Sequence, residues 1–150
     1  METQKDFTAR IIIFEELGRV LLTQRSENCK FRSLRHDIPG GKSDLTELPN
    51  ETAARELNEE TGLVVKPQAL IYLFNQPLVH ELEDGRKRDV HIFIARVKGI
   101  MPLISFNDEV LSYEWLHPLD AMYKLDQAVQ QQAIKKAHYS NSFRLLAPRS

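Results

Sequence analysis

Cysteine is almost absent from these 150 residues: Cys29 stands alone, and a lone thiol excludes an internal disulfide. The opening Met1-Glu2-Thr3-Gln4-Lys5-Asp6 lacks the basic-then-apolar order of a secretory signal, so a reducing, cytoplasmic setting is the expectation. Long apolar runs are missing as well. Ile11 to Phe14 and Ile92 to Ala95 are each bounded by charged residues, far short of the roughly 18 apolar residues that suggest a membrane span. That sets aside a membrane partner. Charge of one sign is not in excess, since 20 Lys and Arg against 21 Asp and Glu leave a net charge of -1. No global field draws such a chain to nucleic acid or anionic lipid, so a polyanionic ligand has to be held locally. No internal repeat, low-complexity tract or Gly/Ser linker divides the sequence.

What is present is ordinary for a globular protein, with 42% hydrophobic and 27% charged residues. A chain of this length fits one domain, 1–150, able to bury about two-thirds of the surface its unfolded form exposes. Thr8 to Phe14 and Arg19 to Thr23 read as a hairpin around Glu15-Glu16-Leu17-Gly18. A polar, basic loop from Gln24 to Arg35 leads to a short strand at His36 to Ile38, which Pro39-Gly40-Gly41 breaks. Pro49 suits a first helical position, Ala53, Ala54 and Leu57 supply a stripe, and Gly62 supplies a stop, which predicts a helix from Pro49 to Thr61. Val64-Val65, Leu70 to Phe74, Leu78 to Leu82, Val90 to Val97 and Val110 to Leu116 read as strands, with Asp84-Gly85 as a hairpin turn. Asp120 to Tyr139 reads as one helix, followed by a loosely docked tail from Ser140. Strands that surround a helix without regular alternation predict an α/β or α+β class, a mixed sheet with helices on its faces.

The chemistry lies between Gly41 and Leu63. After Gly41 come five residues, Glu47, seven residues, and then Arg55-Glu56-Leu57-Asn58-Glu59-Glu60-Thr61-Gly62-Leu63. At about 100° per residue, Glu56, Glu59 and Glu60 share an arc of roughly 100° beside an apolar arc carrying Leu57. Carboxylates three and four residues apart repel, and Arg55 compensates only in part, so a cation is expected there. Oxygen donors without His or Cys suit Mg²⁺, or Mn²⁺ in its place, rather than zinc. A solvated acidic face is the ordinary reading of a Glu-Glu pair. The full pattern, however, would arise by chance in such a chain on the order of one time in ten million.

This pattern resembles the signature of the Nudix hydrolase family, and every signature position is matched. The resemblance implies an α/β/α sandwich with a loop-helix-loop catalytic box at 41–63, and hydrolysis of a nucleoside diphosphate linked to another moiety. It implies metal ligation by Glu56, Glu59 and Glu60, with a main-chain carbonyl near Gly40-Gly41 and the loop residue Glu109 as further oxygens. Glu47 and Arg55 then support those ligands, and the water-activating base is Glu59, Glu56 or Glu109, the box being favoured because a helix holds its residues more rigidly than a loop. Arg25 resembles a family position that contacts substrate phosphate; Arg32, Arg35 and His36 line the approach to the box, where Arg35 is a further candidate for binding substrate phosphate, the alternative being basic residues that only face water. Cys29 carries no signature of thiol catalysis. Phe31, Tyr72, Phe74 and Phe93, at strand spacing, are expected to pack in the core rather than stack on a base.

The expected activity is Mg²⁺-dependent hydrolysis of a nucleoside triphosphate, native or oxidised, to monophosphate and pyrophosphate, with a small nucleotide as partner, nucleic acid disfavoured and the oligomeric state open. An ADP-ribose or nucleoside-diphosphate-sugar pyrophosphatase is the alternative, because Pro77 lies 15 residues beyond Gly62. A non-catalytic nucleotide-binding module usually loses box glutamates, and an isopentenyl diphosphate isomerase departs from the signature; neither applies to this box.

Overall fold

Strand β1 (Phe7–Phe14) is central because it buries apolar side chains on both faces. Phe7, Ala9, Ile11 and Ile13 pack on one side with Ala53, Leu57 and Leu63, whereas Ile12 and Phe14 pack on the other with Val20, Leu22, Ile92, Ile94, Ala133, Ile134 and Ala137. Side chains alternate along a strand, so one buried strand serves two cores. The computed structural model describes residues 6–44, 46–98 and 108–140.

Along one edge β1 runs parallel to β7 (Lys87–Arg96), from Phe7 opposite Asp89 to Phe14 opposite Arg96. Its other edge is shared. β2 (Val20–Arg25) pairs antiparallel at Phe14, and β4 (Gly40–Lys42) pairs antiparallel at Thr8 to Arg10. β2 also carries β3 (His36–Asp37) and β8 (Val110–Leu116), and β7 carries β5 (Ile71–Tyr72) and β6 (Leu78–Glu81). Helix α1 (Pro49–Thr61) covers one face of this mixed eight-stranded sheet; α2 (Pro118–Lys124) and α3 (Ala128–Tyr139) cover the other. The α+β class and the α/β/α layering expected from the sequence are both found. Among the described residues no helix is long and apolar enough to cross a membrane.

Four expectations are corrected. Val64-Val65 forms no strand; Val64 is 83% exposed, and the chain instead runs into a 3-10 turn at Pro67–Ala69. The strand expected from Leu70 to Phe74 shrinks to Ile71–Tyr72. β4 escapes sequence reading because Gly40-Gly41-Lys42 has little strand propensity; the edge of β1 imposes the conformation. The long last helix begins earlier, at Pro118, and divides at Leu125, whose backbone is extended and whose side chain is 2% exposed, so burying this leucine outweighs helical continuity. The tail beyond Ser140 lies outside the described residues.

The β1–β2 turn depends on Glu15. Its carboxylate is buried, accepts the N–H groups of Leu17 and Arg19 at 2.9 and 2.8 Å, and pairs with the Arg19 guanidinium at 3.1 Å. Burial alone would raise this carboxyl, but the bonds from Arg19 and Leu17 hold it below its ordinary value. A lowered carboxyl stabilises the fold above its unfolded value and gives that stability up as pH falls. Glu15→Ala is therefore expected to cost about 1–3 kcal/mol at neutral pH, with the gap to wild type narrowing in acid. Thermal denaturation between pH 3 and 7 measures it, and a pH-independent gap would refute this account.

Candidate active site

Helix α1 starts and stops where local chemistry directs. Pro49 occupies the first position, the Glu51 carboxylate accepts the Leu48 N–H at 2.8 Å, and Gly62 ends the helix with φ 81° and an N–H bond to the Asn58 carbonyl at 2.8 Å. Burial of Ala53 and Leu57 against β1 fixes the helix rotation, and the Tyr113 hydroxyl of β8 donates to the Glu60 carbonyl at 2.8 Å. The acidic flank is thereby held beside β4.

Arg55 is the hub of that flank. Its Nε and Nη2 grip Glu47 at 2.6 and 2.9 Å, a bidentate fork, and Nη2 also reaches the Lys42 carbonyl at 3.2 Å. Nη1 donates to Glu56 at 3.0 Å and to Glu59 at 3.2 Å. Glu47 further accepts from Thr52 Oγ1 and the Asp44 N–H, both at 2.9 Å. The Arg55 bonds, followed by those from Asp44 and Thr52, pull the Glu47 carboxyl down to about 2 against burial, and Glu47 in turn raises the Arg55 guanidinium. Arg55, expected to support the carboxylate ligands, joins Glu47 to both Glu56 and Glu59.

The two glycines before the helix make room for carboxylates. A Cβ on Gly41 would lie 2.6 Å from Glu56 Cδ and 2.8 Å from both carboxylate oxygens. The Gly40 N–H donates to Glu60 Oε1 at 3.3 Å. Burial is the largest influence on Glu60, the charge of Glu56 adds to it, and together they push the carboxyl up to about 8 despite Arg10 and the Gly40 N–H. Burial likewise raises Glu56, with Arg55 opposing. A buried carboxyl held by one long main-chain bond beside a like-charged neighbour is chemically incomplete. All nearby donors are oxygens. The set therefore fits a hard divalent cation, although among the described residues no three His, Cys, Asp or Glu side chains converge as a cage, and Arg55 engages Glu56 and Glu59. Gly41→Ala is expected to displace the Glu56 carboxylate and to lower turnover at least about tenfold while the melting temperature barely changes. Equal turnover in that variant would show that the close approach has no consequence.

Of the other expected residues, Arg25 ends β2, Arg35 precedes β3 and Glu109 precedes β8. Arg25 donates to the Phe31 carbonyl at 3.0 Å and lies 3.5 Å from Asp37, so its guanidinium braces the loop before β3. Arg35 is exposed at the end of that loop, bonded through its main chain to Arg25 and Arg32. Glu109 is exposed just before β8, and its carbonyl accepts the Ser26 N–H at 2.8 Å and the Cys29 thiol at 3.3 Å.

Sequence reading missed a second group. On the opposite face of the sheet, a cavity of about 800 Å³ is lined by Thr8, Arg10, Phe31, Arg32, His80 and Gln130 among others. Beneath it the buried Asp37 accepts from Arg32 at 2.7 Å and from Gln130 Nε2 at 2.7 Å, and Arg32 also pairs with Asp126. Burial alone would raise Asp37, but Arg10, Arg32 and Gln130 hold its carboxyl below the usual range. Phe31 corrects an expectation: it is 69% exposed and lines this cavity, whereas Phe93 is in the core. One signal was available, since Arg10 interrupts an otherwise apolar strand. Gln130, buried on α3, gave none.

Known proteins resemble this chain in sequence and in fold. A family model described as NUDIX domain matches residues 5–137. The 8-oxo-dGTP diphosphatase of Haemophilus influenzae is 48% identical over 54 residues, 35% of this chain and 38% of that protein, so the match spans well under half of its length. The MutT protein of Methanosarcina mazei Go1 superposes with a TM-score of 0.75 at 24% identity, over 94% of this chain and 98% of that one. The NUDIX domain of Shewanella oneidensis NrtR, solved with ADP ribose, superposes with a TM-score of 0.70 at 22% identity, over 94% and 90%. At these identities the two structures establish the fold.

Proposed function

This chain belongs to the NUDIX domain family, and from that premise we propose that it hydrolyses the pyrophosphate linkage of a nucleoside triphosphate, native or oxidised, to the monophosphate and pyrophosphate. The observation that carries the proposal is the carboxylate flank of α1: Glu56 packed against Gly41, Glu60 on the Gly40 N–H, and Arg55 joining Glu56 and Glu59 to Glu47. The local similarity to an 8-oxo-dGTP diphosphatase supports a triphosphate substrate.

Glu56, Glu59 and Glu60 would hold Mg²⁺, or Mn²⁺, with the Gly41 carbonyl and Glu109 as further oxygens. When bound, a divalent cation neutralises phosphate charge and lowers the pKa of a coordinated water. The chain supplies the rest. Arg55 fixes the orientation of Glu47, Glu56 and Glu59, which is the positioning that phosphoryl chemistry requires. Glu59, 48% exposed at its side chain and held by Arg55 alone among the bonds described above, is the general base of this reading because it can reach a water without leaving the helix. The cavity beyond Arg10 takes the nucleoside.

A panel of nucleoside triphosphates, their 8-oxo forms and ADP-ribose, incubated with Mg²⁺ and analysed for products, tests the proposal. Monophosphate with pyrophosphate is the expected result, lost in excess chelator. Release of a phosphorylated sugar from ADP-ribose alone would replace it with the sugar-nucleotide reading, and turnover unaffected by chelator would sink the metal assignment.

A further inference from the structure

Arg10 is the one cation of β1 that stands between the two halves of the site. The strand alternation places it on the α3 side, with Thr8 and Ile12, and it is half-buried. Its Nη1 donates to the Ile38 carbonyl at 2.8 Å, which fixes the guanidinium at the bend between β3 and β4. Opposite it in register is Gly40, where a Cβ would come within 2.7 Å of Arg10 Cγ. The missing side chain at position 40 is therefore the passage through which Arg10 reaches this point. Its charge bears on Asp37 on one side and on Glu56 and Glu60 on the other. Yet among the described residues no carboxylate pairs directly with it. A guanidinium has five N–H donors, and of the described residues only Arg19 keeps a buried side-chain donor without a partner, so the donors of Arg10 not used on Ile38 open toward the cavity.

A fixed, half-buried guanidinium with free donors, placed where a nucleoside cavity meets a carboxylate cluster, is suited to a phosphate oxygen. The carboxylates cannot take that oxygen directly. We propose that Arg10 binds the phosphate next to the nucleoside, so that it sets which anhydride bond lies over Glu56, Glu59 and Glu60. This assignment rests on the nucleotide reading above and gives it a specificity-determining residue outside the box. It gives Arg10 work distinct from that of Arg25, whose Nε is engaged by the Phe31 carbonyl and whose Nη1 lies 3.5 Å from Asp37.

The test is equilibrium binding in excess chelator, which removes any cation from the comparison. Titration with 8-oxo-dGMP and with 8-oxo-deoxyguanosine isolates the contribution of one phosphate. The wild-type chain is expected to prefer the monophosphate about tenfold or more, and Arg10→Met to bring that preference close to one while nucleoside affinity is kept. Arg10→Lys, retaining charge without the fork, should keep part of the preference, and it decides the matter if the Met variant does not fold. With the substrate hydrolysed in the panel, Arg10→Met should raise KM more than it lowers kcat. An unchanged monophosphate preference in both variants would overturn the assignment, as would a wild-type chain that binds neither compound. Turnover of the triphosphate panel by the wild type is scored separately, so an enzyme that still makes monophosphate and pyrophosphate would lose Arg10 from its description and keep its function.

Discussion

Glu60→Gln is expected to lower turnover at least about a hundredfold and, in the same protein without metal, to raise the melting temperature. Both effects come from one carboxyl. Burial and the neighbouring Glu56 push Glu60 up to about 8. In the metal-free native state it therefore keeps a proton that the unfolded chain gives up near its ordinary value of 4.5. Between those two values the native state binds more protons, so stability falls as pH rises through that window. Glutamine has no charge to bury and escapes the penalty, while it cannot supply an anionic oxygen to a cation. The stability gap between variant and wild type should thus widen from pH 5 to pH 9, and Mg²⁺ should stabilise the wild type increasingly over the same range and the variant little. Near wild-type turnover in Glu60→Gln, or a gap that does not change with pH, would count against this residue's place in the site.

Arg55→Ala should produce a loss of similar size by a different route. The guanidinium touches no part of the substrate in the proposed mechanism; it aligns three carboxylates and a main-chain carbonyl. Without it, Glu47, Glu56 and Glu59 repel one another in the metal-free protein, and turnover is expected to fall by roughly 10- to 100-fold. Stability carries a distinct signature. Glu47, held down to about 2 by Arg55, stabilises the wild type above its unfolded value and loses that contribution as pH falls toward 2. The melting-temperature difference should accordingly be largest above pH 5 and close in acid, the opposite trend to Glu60→Gln. Arg55→Lys restores charge without the fork and should recover little turnover. Full recovery with lysine would mean that charge, not geometry, is what Arg55 provides.

The box was legible because its constraints are local. Pro49, the spacing of Ala53 and Leu57, and Gly62 specify α1 from Pro49 to Thr61 with no help from the rest of the chain. Strand β8 was equally plain as a β-branched and aromatic run ending at Leu116. What could not be read depends on distant partners. β4 is a strand only because β1 offers an edge, and Leu125 breaks a helix only because a buried site awaits it. The same holds for function. Glutamates at helical spacing announced themselves, whereas Arg10, the Arg32-to-Asp37 stretch and Gln130 are far apart in sequence and meet only after the sheet has formed. Arg25 depends on folding in the same way: this strand-end arginine meets the Phe31 carbonyl and Asp37 only once the loop has closed.

The shared edge of β1 has an outcome for how such a protein can change. Because β2 leaves β1 at Phe14 and β4 joins it at Thr8 to Arg10, the sheet forks, and the segment from His36 to Lys42 crosses the opening. The proposed chemistry occupies one layer and the proposed recognition cavity the other, and Arg10 stands at the crotch between them. Phe31, His80 and Gln127 can then vary, and the preferred base with them, while α1 keeps its carboxylates untouched. Adjustments that pass through the fork, at Arg10, Ile38 or Gly40, are felt in both layers at once.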